Sequence, residues 1–282
     1  MDSSFPLISS RRNPLVKRLR TLATRAGREA EGLLLLEGTH LLQEVLRQGN
    51  APDEIIATEA WWQGHSALAE RCAQARLWVV TDEVLRAALT TVTPDGVACL
   101  SPLDRLPAVP PELDFLLVLD RIQDPGNLGT LLRTALAADV NAVWMGAGVD
   151  PLGTKVLRAS AGALLQLPHQ RFGPSEAMAI SQLRQELKQL AALGVQVVAT
   201  LVPDSTQASP IPYWDLDWTL PTALVLGTEG AGLHPDLQAC CTHAVTLPHS
   251  ARVESLNVAS AAVPLLLERR RATMTATSQQ FG

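Results

Sequence analysis

FLLVLDRIQDPGNLGTLLRT, residues 115–134, is the stretch that decides the fold, because an apolar run ends there in a polar turn before a helical pattern. The five apolar residues from Phe115 to Leu119 predict a strand buried on both faces of a parallel sheet. The turn residues Asp124-Pro125-Gly126-Asn127 follow, and then leucines recur at helical spacing. Such a corner binds ligands in open α/β sheets, although an ordinary βα loop has the same pattern.

Strands and helices alternate on both sides of this stretch, which predicts an α/β protein with two domains. Five prolines in residues 94–111 indicate a linker between them. We predict a small N-terminal α/β domain over 1–100, a linker over 101–114, a parallel-sheet domain over 115–272 and a tail over 273–282. The remaining expectations are strands at 33–36, 55–57, 77–80, 142–145, 195–201, 223–227 and 244–247, and helices at 41–46, 61–75, 128–139, 155–162, 176–193, 235–240 and 256–271.

The composition, 47% hydrophobic and 18% charged, is typical of a soluble globular protein. No apolar run approaches the roughly 18 residues of a membrane helix. The start has no apolar segment behind its basic residues, so we expect no secretory signal, no membrane partner and a cytoplasmic location. The four cysteines have no metal-binding spacing, which predicts reduced, mostly buried thiols and no metal site.

The charge is unevenly distributed, since residues 1–30 carry +5 while the whole chain carries −5. Leu15, Leu19 and Leu22 lie at helical spacing, which predicts an amphipathic helix beginning near Asn13-Pro14. Its basic face could bind the phosphates of a nucleic acid, or it could be only a solvated charged surface. The candidate RNA-binding residues are Arg11, Arg12, Asn13, Lys17, Arg18 and Arg20.

Three segments of the second domain carry candidate site residues. In the opening stretch Arg133 is an anion ligand or a surface ion-pair partner. LVLGTEGAGL, 224–233, has three glycines that let a backbone approach a ligand closely. VTLPHSARVESLNV, 245–258, leads into the last helix, where Ser255 is a plausible N-cap.

Together, NLGTLLRT, LVLGTEGAGL and LPHSARVESLNVA resemble the three signature motifs of the SpoU/TrmH family of RNA ribose methyltransferases. The resemblance covers residues 115 to about 271. SRRNPLVKRLR and EGTHLLQEVL are similar to the small substrate-binding domain of many ribosomal-RNA members.

This resemblance implies a SPOUT domain with a deep trefoil knot, a homodimer, and S-adenosylmethionine bound against three loops. It implies methylation of a ribose 2′-hydroxyl in RNA, with ribosomal RNA favoured over transfer RNA by the extra N-terminal domain. The implied catalytic residues are Asn127, Arg133, Glu229, Ser255 and Asn257. The implied cofactor-binding residues are Leu226, Gly227, Thr228, Gly230, Leu247, Pro248, Ser255, Leu256, Asn257 and Val258.

Two departures and two alternatives accompany the resemblance. His249-Ser250-Ala251 stands where members often have Met and Gly, and Pro264 should kink the final helix. A Rossmann-type methyltransferase or dehydrogenase would use the glycine turn 145–148, which lacks the third glycine of that fingerprint. A catalytically inactive RNA-binding ribosome-assembly module would use only the basic arm.

Overall fold

The computed structural model describes residues 6–202, 209–228 and 230–280, with side chains described up to residue 275. Two compact units are present. Unit 1 comprises Met1–Pro107 and Asp150–Gln166, and unit 2 comprises Ala108–Val149 and Leu167–Gly282. Within the described residues, none of the helices has the length and apolar character needed to span a bilayer.

Helices and strands alternate through much of both units. Up to residue 107 they are, in chain order, α1 (Pro14–Leu22), α2 (Arg25–Glu31), β1 (Leu33–Glu37), α3 (Thr39–Arg47), β2 (Glu54–Ala57), α4 (Glu59–Gly64), α5 (Ser66–Arg71), β3 (Arg76–Val79), α6 (Asp82–Ala88) and β4 (Val97–Pro102). After it they are β5 (Phe115–Leu119), α7 (Pro125–Ala137), β6 (Ala142–Met145), α8 (Thr154–Ala159), β7 (His169–Arg171), α9 (Glu176–Ala192), β8 (Gln196–Thr200), β9 (Ile211–Pro212), β10 (Thr222–Leu226), α10 (Pro235–Gln238), β11 (His243–Thr246) and α11 (Val258–Gln280).

Unit 1 contains a mixed sheet of order β1-β4-β2-β3, in which only β2 and β3 run parallel. The amphipathic α1 is confirmed. The Asn13 side chain caps it, and Leu15, Leu19 and Leu22 are buried in the core of this unit. The prediction was wrong for β4, a central strand inside the proline-rich stretch 94–111. The four fully buried residues from Val97 to Leu100 form most of the strand, which ends at Pro102.

Three helical regions of unit 1 also differ from the prediction. The single helix expected over 61–75 is two, α4 and α5, because the backbone leaves helical geometry at His65. There, the His65 ring nitrogen Nδ1 lies 2.9 Å from the carbonyl oxygen of Trp61. Helix α2, which Thr24 caps, and helix α6, which Thr81 caps, were missed.

A single buried carboxylate holds part of unit 1 together. The Glu37 side chain at the end of β1 is 2% exposed and accepts from the backbone N–H groups of Thr90 and Thr91, at 2.8 and 3.0 Å. Both threonine hydroxyls also reach it. Arg158, at 2.6 Å from this carboxylate, belongs to the segment Asp150–Gln166, which therefore packs as part of unit 1.

Unit 2 contains a seven-stranded sheet of order β7-β6-β5-β10-β8-β11-β9, with every pair parallel. The opening stretch forms β5 and α7 as predicted, and all five residues of β5 are buried. One face of the sheet packs against α9, whose Leu183 and Leu187 are fully buried. The short strands β7 and β9 were not predicted.

Helix α11 begins later than predicted. The Asn257 side chain accepts hydrogen bonds from the backbone N–H groups of Ala259 and Ser260, so Asn257 is the N-cap and not Ser255. The helix is continuous through Pro264 and on through residues 273–280. Its Arg269 is 3% exposed and donates to Asp114 at 2.6 Å, which attaches α11 to the start of β5.

Candidate active site

A cavity of about 570 Å³ lies at the carboxyl ends of β8, β10 and β11 in unit 2. This is the edge of a parallel sheet at which α/β proteins bind ligands. Its lining includes eight of the predicted cofactor-binding residues, namely Leu226, Gly227, Thr228, Gly230, Leu247, Ser255, Leu256 and Val258. The second and third sequence segments therefore meet in one cavity.

The glycine-rich loop after β10 is a tight hairpin. Thr228 and Gly232 exchange two backbone hydrogen bonds, at 3.0 and 3.1 Å. A Cβ added to Gly227 would lie 2.3 Å from the backbone of Gly232, so Gly227 is required by the hairpin itself. Gly230 has open space around it and lines the cavity. The predicted Glu229 lies outside the described residues.

The loop after β11 forms the facing wall of the cavity. The Leu247 carbonyl oxygen lies 2.7 Å from Nδ1 of His249, and this contact fixes the imidazole on the cavity lining. Pro248 is exposed and does not line the cavity, and neither does Asn257. His249, where the sequence departs from the family pattern, is thus part of the wall.

Asn257 joins this wall to the opening stretch. Its Nδ2 donates to Oδ1 of Asn127 at 2.9 Å, across 130 positions of sequence. Asn127 is fixed at the start of α7, because its backbone N–H donates to the capping carboxylate of Asp124 at 2.7 Å. Two of the predicted catalytic residues are therefore in direct contact.

The other two described catalytic candidates are exposed to solvent. Arg133 lies six residues after Asn127 in α7, about 120° around the helix, and makes no ion pair with a described residue. Ser255 is exposed on the cavity lining. Because Arg133 pairs with no carboxylate among the described residues, its guanidinium is available for an anionic ligand.

Sequence reasoning missed several lining residues, among them Thr200, Val202 and Gln238. The Thr200 hydroxyl oxygen is buried and finds no hydrogen-bond partner in the described part of the chain. Because a buried hydroxyl without a partner is unfavourable, it is suited to a polar ligand atom. The only available signal was a threonine at the carboxyl end of a predicted strand.

Unit 1 has a separate basic groove of about 400 Å³ along α1. Its lining includes Arg11, Arg12, Asn13, Lys17 and Arg20 and contains no carboxylate. Arg18 lies outside it, and its guanidinium pairs with Glu31 and Glu54 at 2.7 and 2.8 Å. The other predicted RNA-binding residues thus share one surface.

Comparisons with known proteins agree with this arrangement. Residues 114–266 match the SpoU rRNA Methylase family, and residues 13–99 match the MRM3-like substrate binding domain. An uncharacterized tRNA/rRNA methyltransferase of Synechocystis is 40% identical, over 99% of this chain and 98% of that protein. The 23S rRNA (guanosine(2553)-2′-O)-methyltransferase of Bacillus subtilis is 30% identical, over 93% of this chain and 98% of that protein.

Solved structures resemble the whole chain. The crystal structure of an RNA 2′-O ribose methyltransferase has a TM-score of 0.76 at 27% identity, covering 95% of this chain and all of that one. An AdoMet-bound rRNA methyltransferase from Sinorhizobium meliloti has a TM-score of 0.77 at 26% identity, covering 94% and 97%. On the family match, the near-full-length relatives and the shared fold, this chain belongs to the SpoU rRNA methylase family.

Proposed function

We propose that this protein transfers a methyl group from S-adenosylmethionine to a ribose 2′-hydroxyl of ribosomal RNA. The observation that carries the proposal is the hydrogen bond between Asn257 and Asn127. It connects a cavity built from two of the signature motifs to the helix that holds the third. The relative from Bacillus subtilis and the cofactor-bound structure from Sinorhizobium meliloti support both the reaction and the cofactor.

The cavity fits such a cofactor in size and in chemistry. Its volume, about 570 Å³, is within the usual range for small-molecule sites. Leu247 and Leu256 offer apolar surface to an adenine, and the Thr200 hydroxyl offers a buried polar group. When bound, the sulfonium supplies an activated methyl group.

The residues of this chain then have to align the acceptor ribose and help remove its proton. Arg133 is a poor base because a guanidinium is effectively always protonated. We assign it instead to the phosphate next to the target ribose, where its charge stabilises the developing alkoxide and a phosphate oxygen receives the proton. Asn127 and Glu229 would orient Arg133 and the ribose, while Ser255 and Asn257 would contact cofactor and substrate.

Calorimetry and steady-state kinetics test this assignment. S-adenosylmethionine should bind the wild-type chain, and Arg133→Gln should bind it equally well while losing at least 100-fold in kcat. Arg133→Lys distinguishes a guanidinium from a simple positive charge. Near-normal turnover of that variant at pH 7 would contradict the need for a guanidinium, and absence of binding at millimolar cofactor would favour the inactive assembly module.

For the RNA, we propose that the basic groove of α1 binds phosphates. Arg12 and Lys17 form no ion pair with a described residue and are more useful for this than Arg18, which is already paired with two carboxylates, or Arg11, which pairs with Glu83. Each lost phosphate contact should lower the slope of log affinity against log salt by about 1. Arg12→Gln and Lys17→Gln should therefore weaken RNA binding and its salt dependence.

Arg25→Gln is the matched control, because Arg25 pairs with Glu29 and does not line the groove. Equal salt slopes for all three variants would rule out the groove as the anchor. Deleting residues 1–30 is unsuitable as a test, since Leu19 and Leu22 belong to the core of unit 1.

Ribosomal RNA is favoured over transfer RNA because the relative from Bacillus subtilis, which covers nearly the whole chain, is named for 23S rRNA. A tritium-methyl transfer assay on total RNA, followed by mapping of the labelled nucleotide, decides between them. Label in transfer RNA alone would refute the preference. An rRNA substrate also supports the cytoplasm as the location.

We also propose a homodimer, with α11 in its interface. Val263, Leu267 and Met274 are 36%, 42% and 60% exposed and recur at helical spacing on this helix. A second copy of the chain would cover this apolar face. Leu267→Glu should convert a dimer to a monomer in sedimentation experiments, and a monomeric wild type would refute the proposal. The trefoil knot is proposed on the family match and the shared fold. The domain boundaries at 100 and 115 also remain proposals.

A further inference from the structure

Unit 2 contains a fully buried carboxylate beside the cavity. Asp120 directly follows β5, is 0% exposed, and its backbone N–H donates to Leu226 at the end of β10. Leu226 begins the loop that lines the cavity. A buried charge is costly unless it is paired and hydrogen-bonded, so the partners of Asp120 have structural consequences.

Its partner is the next residue in the chain. Arg121 has a φ of +55°, a left-handed conformation that a residue with a side chain rarely adopts. In this conformation its guanidinium turns back onto Asp120, and Nε donates to the two carboxylate oxygens at 3.0 and 3.1 Å. The Arg121 side chain is only 17% exposed, so the ion pair is screened little by solvent.

The same pair holds the far end of the glycine-rich loop. The backbone N–H of His234 donates to Oδ2 of Asp120 at 2.9 Å, and Arg121 lies 3.5 Å from the carbonyl oxygen of Gly232. Gly232 in turn is bonded to Thr228 on the near side of the hairpin. Because Gly227 leaves no space against Gly232, a displacement of one side of the hairpin has to displace the other.

We propose that Asp120 and Arg121 are positioning residues that fix the glycine-rich loop in its cofactor-binding shape. The inference rests on the proposed function, since it assigns the cavity to S-adenosylmethionine. Neither side chain lines the cavity, so neither touches the cofactor. Their loss should therefore weaken cofactor binding through the loop, while the contacts of the basic groove with RNA stay as they are.

Arg121→Gly is the most direct test. Glycine adopts positive φ without strain, so the substitution removes the guanidinium while favouring the native backbone. Asp139→Gly is a matched control, because Asp139 also has a positive φ, of +56°, and its carboxylate pairs with Arg270 at the other end of α7. We expect Arg121→Gly to raise the calorimetric Kd for S-adenosylmethionine at least tenfold and Asp139→Gly to leave it within twofold.

Two further measurements separate positioning from a loss of folded protein. A purely structural role would lower the calorimetric stoichiometry while the remaining sites kept their Kd. Positioning raises Kd at full stoichiometry and raises KM for the cofactor more than it lowers kcat, with KM for RNA unchanged. Arg121→Lys, which keeps the charge, should recover part of the affinity.

If Arg121→Gly does not fold, Asp120→Asn replaces it as the test, since an amide keeps the size and the acceptor for His234 but loses the charge. A Kd within twofold of wild type for the folded variant overturns the inference. If wild-type protein itself fails to bind S-adenosylmethionine, the proposed function fails first, and the two failures are thereby distinguishable.

Discussion

Replacing Glu37 with Ala should destabilise unit 1 more than any single surface change. The carboxylate is 2% exposed and accepts from two backbone N–H groups, two hydroxyls and Arg158. Removing it leaves the donors of Thr90 and Thr91 and a guanidinium without their acceptor. Each hydrogen bond to a charged group is worth about 1.5–3 kcal/mol, so losing this set should cost about 3–5 kcal/mol, a large part of the roughly 5–15 kcal/mol that stabilises a typical protein.

Two further variants show which interactions of Glu37 account for this loss of stability. Arg158→Met should lose only about 1–2 kcal/mol, because Glu37 keeps four other donors. Glu29→Ala should lose no more than about 0.5 kcal/mol, since Glu29 is 59% exposed in its pair with Arg25.

Urea denaturation followed by hydrogen exchange and mass spectrometry is the appropriate assay. Peptides from β1 and α8 report on unit 1 separately from the rest of the chain. If the free energy of unfolding falls by about 2 kcal/mol per M urea, the urea midpoint of Glu37→Ala should be about 2 M lower than that of wild type. If Glu37→Ala and Glu29→Ala shifted the midpoint equally, the role assigned to this carboxylate would be refuted.

Three further predictions concern unit 2 and the thiols. Gly227→Ala should weaken S-adenosylmethionine binding at least tenfold in calorimetry, because its Cβ would collide with the hairpin backbone, whereas Gly64→Ala, in open space, should have no effect. Burial raises the pKa of Cys241 to about 12, and the other three cysteines are buried, so the native chain should resist alkylation at pH 8 and react at all four cysteines in urea. Fast labelling of the native chain would contradict this. Burial lowers the pKa of His169 from 6.5, so the unfolded chain binds a proton that the folded chain does not, and stability should fall as pH drops below about 6.5. His169→Gln should flatten that part of a stability-against-pH curve, and an unchanged curve would exclude the effect.

The sequence predicted the parts of the fold that depend on local pattern. β5 is an uninterrupted apolar run, and α9 lies between a capping Ser175 and Gly194, so both could be located by inspection. β4 was missed because prolines near its ends outweighed four apolar residues between them. Whether such a run pairs with neighbours in a sheet depends on distant strands, which local pattern does not report.

In the candidate site, too, the sequence predicted individual residues but not the contacts between distant parts of the chain. The motifs identified Asn127 and Asn257 individually, but their hydrogen bond joins positions 130 residues apart. The glycine pattern suggested that Gly227 makes room for a cofactor, whereas the structure shows that it makes room for its own hairpin. Arg18 was predicted to bind RNA like its basic neighbours, but in the fold it pairs with Glu54, which is 36 positions away in the sequence.

The segment Asp150–Gln166 has a practical consequence for proteolysis. It leaves the large sheet after β6, packs as part of unit 1, and returns before β7. The backbone therefore passes between the units at three points, so one cut between Pro107 and Ala108 should release neither piece. The fragments 1–107 and 108–282 should co-purify under native conditions, because residues 150–166 pack with the first fragment, and they should separate in denaturant.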